Sequence, residues 1–90
     1  MKMILAIMPT NLNEQVSQSL LDSSYRVTKF ASTGGLFSGG TTTLMIITEA
    51  KKTDRALELI REQIPPAEPV ENSNPRVTIY VLNVKDFEKV

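Results

Sequence analysis

All four glycines of this chain fall inside one seven-residue span, Gly34–Gly40, between two segments rich in β-branched and aromatic residues. Glycine reaches positive φ at little cost and lets another group approach the backbone closely. A cluster of this kind marks a difficult turn or a binding loop. The segment before it, Tyr25–Thr33, alternates Tyr25, Val27, Lys29 and Ala31 against Arg26, Thr28, Phe30 and Ser32, as a strand does. The segment after it, Thr41–Thr48, leads three threonines into Leu44-Met-Ile-Ile47. The pair therefore reads as an antiparallel hairpin with a wide connection.

The other elements follow from periodicity. Lys2–Met8 is an almost unbroken apolar run of strand length, as expected of a strand buried on both faces. Pro9-Thr10 ends it. Asn11 followed by Glu14 resembles a capping box, and Leu12, Val16 and Leu20 then share one helical face. Asp22-Ser-Ser24 stops that helix. Thr53 is positioned to cap a second helix, with Asp54 in its first turn and Ala56, Leu57, Ile60 and Ile64 as its buried stripe. Pro65-Pro66 forbids continuation, and Pro65–Asn74 is a polar, proline-rich connection. Arg76–Leu82 alternates as a last strand, and Asn83–Val90 is a short tail anchored by Phe87.

The order is β-α-β-β-α-β, within one 90-residue domain. Right-handed crossovers with both helices on one face favour an α+β, ferredoxin-like sandwich with a four-stranded antiparallel sheet. Two helices cover only one face of such a sheet. Yet Lys2–Met8, Leu44–Ile47 and Val77–Leu82 carry apolar side chains toward both. Burial against copies of the same chain resolves this, so a homo-oligomer is expected.

Ten basic and ten acidic side chains leave no net charge, which gives no electrostatic case for a broad nucleic-acid surface. Without Cys or His there is no disulfide scaffold, thiolate zinc site or histidine-based triad. No apolar run reaches the ~18 residues of a membrane span, and a cytoplasmic location is expected. No pair of carboxylates stands out at a strand end, and no cofactor is implied. A non-catalytic protein is expected. Lys51-Lys52 reads as the solvated start of a helix, and Met1, Met3, Met8 and Met45 as core filler.

The glycine span is not a P-loop. Gly34 and Gly39 have the required spacing, but Gly40-Thr41 stands where that motif needs Lys and then Ser or Thr, and a strand follows instead of a helix. A looser anion site remains open. Successive amides of a glycine-rich turn form an anion-binding concavity, Arg26 suits a bidentate phosphate contact, and Thr28 adds a hydroxyl. The plain alternative is a hairpin with Arg26 as a solvated strand charge. Leu36 and Phe37 are large apolar residues at the tip, suited either to stacking on a base or to plugging into a neighbouring subunit.

The segment Arg26–Thr43, with its R-x-T-K, then T-G-G, two large apolar residues, a Gly-containing linker and a Thr-rich strand start, resembles the PII-like cyclic-di-AMP receptor family. The strand Lys2–Met8 and the ending Thr78–Phe87 are also similar. The resemblance implies a ferredoxin-like subunit in a homotrimer, with a nucleotide second messenger, cyclic-di-AMP first, bound between adjacent subunits. It implies Arg26, Val27 and Thr28 beside the phosphates and one adenine, Thr33, Gly34 and Gly35 at the loop base, and Leu36 with Phe37 flanking a base. Ser24 and Thr41 stand at ligand positions where such proteins commonly have Asn. The Pro65–Asn74 connection is shorter than theirs. Two alternatives stand beside this one: a diverged member that binds another adenine nucleotide such as ATP or AMP, and a trimeric module that docks a protein partner through Gly34–Gly40.

Overall fold

A computed structural model of the chain describes residues 1–32, 40–64 and 77–85. The elements are β1 (Lys2–Pro9), α1 (Thr10–Asp22), β2 (Thr28–Ser32), β3 (Thr41–Thr48), α2 (Ala50–Gln63) and β4 (Thr78–Asn83). The four strands form one antiparallel sheet in the order β2-β3-β1-β4. This order, with two helices, is compatible with the ferredoxin-like arrangement expected from the sequence. Among the described residues no helix is long and apolar enough to cross a membrane.

Strand alternation divides the apolar side chains between two faces. Ile4, Ala6 and Met8 of β1 and Leu44 and Ile46 of β3 are fully buried, together with Val16 and Leu20 of α1 and Ala56 and Ile60 of α2. That layer is the core, and each large member contributes about 1.5–3 kcal/mol through burial. On the other face Met3, Leu5, Ile7, Met45 and Ile47 are only half-buried. Register places Leu82 opposite Met3 and Tyr80 opposite Leu5, and Phe30 opposite Thr43. Phe30, Tyr80 and Leu82 are 53%, 52% and 47% exposed. The central strand is thus apolar toward both sides, as expected, but fully buried only toward the helices. Of the four methionines read as core filler, only Met8 is in the core; Met3 and Met45 lie on the open face and Met1 is exposed.

The helix starts differ from those expected. Asn11 does not cap α1, which begins at Thr10 directly after Pro9 without a side-chain cap. A tertiary contact does part of that work: the Thr10 amide donates to the Gly40 carbonyl at 3.2 Å, satisfying one of the orphan donors of the first turn. Likewise Thr53 does not cap α2. The helix begins three residues earlier, at Ala50, and the Thr53 hydroxyl donates back to the Glu49 carbonyl at 3.2 Å from within the first turns. Gly40 has φ of 73°, the left-handed region that glycine reaches without a Cβ penalty. It thereby delivers the chain into β3 while its carbonyl faces Thr10. Pro65–Asn74 and Phe87 lie outside the described residues.

Candidate functional site

The site begins at the end of α1. The amides of Ser24 and Tyr25 donate to the carbonyls of Leu21 and Leu20, each at 3.0 Å. These are the paired bonds of a Schellman motif, and Ser24 sits at its left-handed position with φ of 69°. The accompanying apolar contact is supplied by Leu20 and Tyr25, both part of the buried core. This turn consumes Tyr25, so β2 starts at Thr28 and not at Tyr25 as the alternation predicts. Arg26 is released from the ladder and lies exposed.

Tyr25 then joins this turn to α2. Its ring is buried and its hydroxyl donates to the Lys52 carbonyl at 2.8 Å. Between the two segments lies a cleft of about 320 Å³, lined by Ser23, Ser24, Tyr25, Arg26, Ile47, Thr48, Lys51, Lys52 and Arg55. Four of these side chains are cations, and among the described residues no carboxylate lines the cleft. Lys51 pairs with Glu49 at 3.4 Å, and Arg55 pairs with Glu58 at 2.8 Å and Glu62 at 3.7 Å. The first turn of α2 adds the positive end of its dipole. In a chain of zero formal charge this is a local excess of positive charge, suited to an anion. Ile47 also belongs to the half-buried open sheet face, so the cleft borders that apolar surface.

The expected ligand residues divide between two ends of the sheet. Ser24 and Arg26 line the cleft. Thr28 is exposed at the start of β2, opposite Met45, and Val27 packs its side chain against the core, leaving its backbone for any ligand contact. Thr41 opens β3, opposite Ser32 and Pro9, at the far end of the strand. At about 3.4 Å per residue it stands roughly 20 Å from the level of Ile47. Thr33, Gly34, Gly35, Leu36 and Phe37 lie outside the described residues. Lys51, Lys52 and Arg55 were not expected here. Their spacing becomes a signal only once α2 starts at Ala50, before Thr53, since residues three and four apart on a helix share one face. Lys51-Lys52 read alone gives only a solvated helix start.

A model of the cyclic-di-AMP receptor family matches residues 1–70. The chain belongs to the cyclic-di-AMP receptor family. Among solved structures, this receptor-family chain is similar to a functionally unknown protein from Pediococcus pentosaceus, with 29% sequence identity and a TM-score of 0.78. The match covers 99% of this chain and 96% of that one. Membership in a receptor family supports a nucleotide ligand and a binding role in signalling.

Proposed function

We propose that this protein is a non-catalytic, cytoplasmic sensor that binds cyclic-di-AMP between the subunits of a homotrimer. The observation that carries this reading is the convergence of Ser24 and Arg26 on one cationic cleft in a chain of this receptor family. The Arg26 guanidinium offers a planar fork of donors to a phosphodiester, and the Ser24 hydroxyl a further donor. A volume of about 320 Å³ is at the small end of the ~300–1,000 Å³ of ligand pockets. One cleft is therefore sized for part of a two-base ligand; the remainder extends toward Thr28, while Thr41, roughly 20 Å away at the far end of β3, would join the same ligand only from a neighbouring subunit. Thr33, Gly34, Gly35, Leu36 and Phe37 complete the proposed site.

The trimer is supported by the open sheet face, where Phe30, Tyr80 and Leu82 stand about half-exposed beside Met3, Leu5 and Ile7. An apolar layer of this extent is the kind of surface that copies of a chain bury against one another. Because Ile47 lies on both the face and the cleft wall, assembly on that face brings a neighbour to the ligand.

Isothermal calorimetry with cyclic-di-AMP, cyclic-di-GMP, ATP and AMP tests the reading. Saturable heat with cyclic-di-AMP, and weaker or no heat with cyclic-di-GMP, is expected. Silence with cyclic-di-AMP at several temperatures, whatever the other three nucleotides do, would overturn it.

A further inference from the structure

The cationic cleft carries more charge than the proposed ligand needs. A cyclic dinucleotide has two phosphodiesters, each with a single negative charge. The cleft presents Arg26, Lys51, Lys52 and Arg55. The three carboxylates paired with Lys51 and Arg55, namely Glu49, Glu58 and Glu62, are each more than half exposed, and none is among the lining residues. Exposed pairs of this kind hold their partners weakly, so both cations can turn to a ligand. Lys51, Lys52 and Arg55 are spaced to share one helix face, and the Tyr25–Lys52 hydrogen bond fixes that face against the turn that holds Arg26.

We propose that the start of α2 forms a linear oligophosphate subsite, with Lys51, Lys52 and Arg55 acting together with Arg26 on a chain of two or three phosphates. An oligophosphate bears a charge of about three to four at neutral pH, its terminal group having a second ionisation near pH 6 as other phosphomonoesters do. It therefore matches four convergent cations better than a diester does. Lysine serves such a group as a point charge, and arginine as a bidentate fork. The hydroxyls of Ser23 and Ser24, which also line the cleft, add neutral donors. The half-buried side chain of Ile47 supplies apolar surface in the same lining, room for a base at the end of the phosphate chain. This inference shares Arg26 with the reading above, and the two ligands compete for it.

The test uses the full chain with inorganic triphosphate, ATP and cyclic-di-AMP, at low and high salt. Triphosphate is expected to bind at low salt, to weaken as salt screens the cations, and to displace cyclic-di-AMP. The double variant Lys52→Ser/Arg55→Ser removes two lining cations, and Arg61→Ser/Lys85→Ser removes the same charge at exposed positions outside the lining. Triphosphate affinity should fall roughly tenfold or more in the first, as expected for lost charge-assisted contacts, and change less than about twofold in the second. Circular dichroism checks that both retain the fold. ATP binding more tightly than triphosphate supports the subsite and names a nucleoside oligophosphate as its ligand; equal affinities support it and name free polyphosphate. No triphosphate binding by the unaltered protein, or equal losses in the two variants, would overturn the subsite. Cyclic-di-AMP binding without triphosphate binding would leave the receptor reading standing and this inference fallen; triphosphate binding without cyclic-di-AMP binding would do the opposite.

Discussion

The hydroxyl of Tyr25 donates to the backbone carbonyl of Lys52 at 2.8 Å, binding the turn after α1 to the first turn of α2. Both walls of the cationic cleft depend on that bond. Tyr25→Phe keeps the buried ring and removes only the donor, so its stability cost is that of one neutral hydrogen bond, about 0.5–1.5 kcal/mol. Urea unfolding should show a lower midpoint with an unchanged slope. Ligand affinity should fall as well, because the cations of α2 lose their fixed distance from Arg26. A variant with normal stability and normal binding would show that the bond organises nothing.

Ser24 holds the left-handed position of the Schellman motif with φ of 69°. Its Cβ is strained there, at a cost of roughly 1–2 kcal/mol. Ser24→Gly relieves the strain but adds freedom to the unfolded chain, for a net stabilisation of about 0.5–1 kcal/mol. Ser24→Asn should stabilise by less, since Asn tolerates this region better than Ser. Thermal melts of the two variants check the order; a lower melting temperature for Ser24→Gly would refute it.

Gly40 is the second left-handed position, with φ of 73°. Its carbonyl accepts the Thr10 amide at 3.2 Å, so it anchors the start of α1. Gly40→Ala should cost about 1–2 kcal/mol through the Cβ clash. Hydrogen exchange should quicken at the Thr10 amide more than in the middle of the helix. Uniform protection across α1 would argue against the anchoring.

These two positions also show how far the sequence could be read. The strand β3 was legible at its observed bounds, Thr41–Thr48, because a glycine precedes it and its β-branched and apolar residues run unbroken to Thr48. The end of α1 was legible from Asp22-Ser-Ser24. The helix starts were not. Asn11 and Thr53 have the chemistry of caps, but Thr10 finds its partner in Gly40, thirty positions away, and Thr53 bonds back to Glu49 from inside the helix. The first strand of the hairpin was read too long, because its alternation begins at Tyr25 while the Leu20 carbonyl takes the Tyr25 amide. Of the residues lining the cationic cleft, Arg26 was legible as a cation suited to phosphate, from its chemistry and the family resemblance. Lys51, Lys52 and Arg55 were not, since only the packing of α2 beside the Tyr25 turn brings them to it.

The open sheet face gives a test of assembly. Tyr80 and Leu82 are about half-exposed and stand opposite Leu5 and Met3. Changing both to Lys leaves the buried layer of Ile4, Leu44 and Ile46 untouched. The trimer expected for the unaltered protein should then fall to monomer in light scattering, with helix content retained in circular dichroism. A monomer mass for the unaltered protein at working concentration would contradict the assembly outright. Loss of cyclic-di-AMP affinity along with the trimer would support a site between subunits; unchanged affinity in the monomer would place the whole site within one chain.

Arg26 gives the sharpest test of the ligand. It is exposed and outside the strand ladder, so Arg26→Ala should leave the melting temperature almost unchanged. The proposed contact with a phosphate would be a charge-assisted bond, whose loss costs about 1.5–3 kcal/mol, or roughly a tenfold to hundredfold rise in Kd. Arg26→Lys keeps the charge but removes the planar fork. If the contact is bidentate, Lys should recover less than half of the lost free energy; if only the field matters, it should recover nearly all. Calorimetry on the three proteins separates these cases, and a Kd for Arg26→Ala equal to that of the unaltered protein would remove Arg26 from the site.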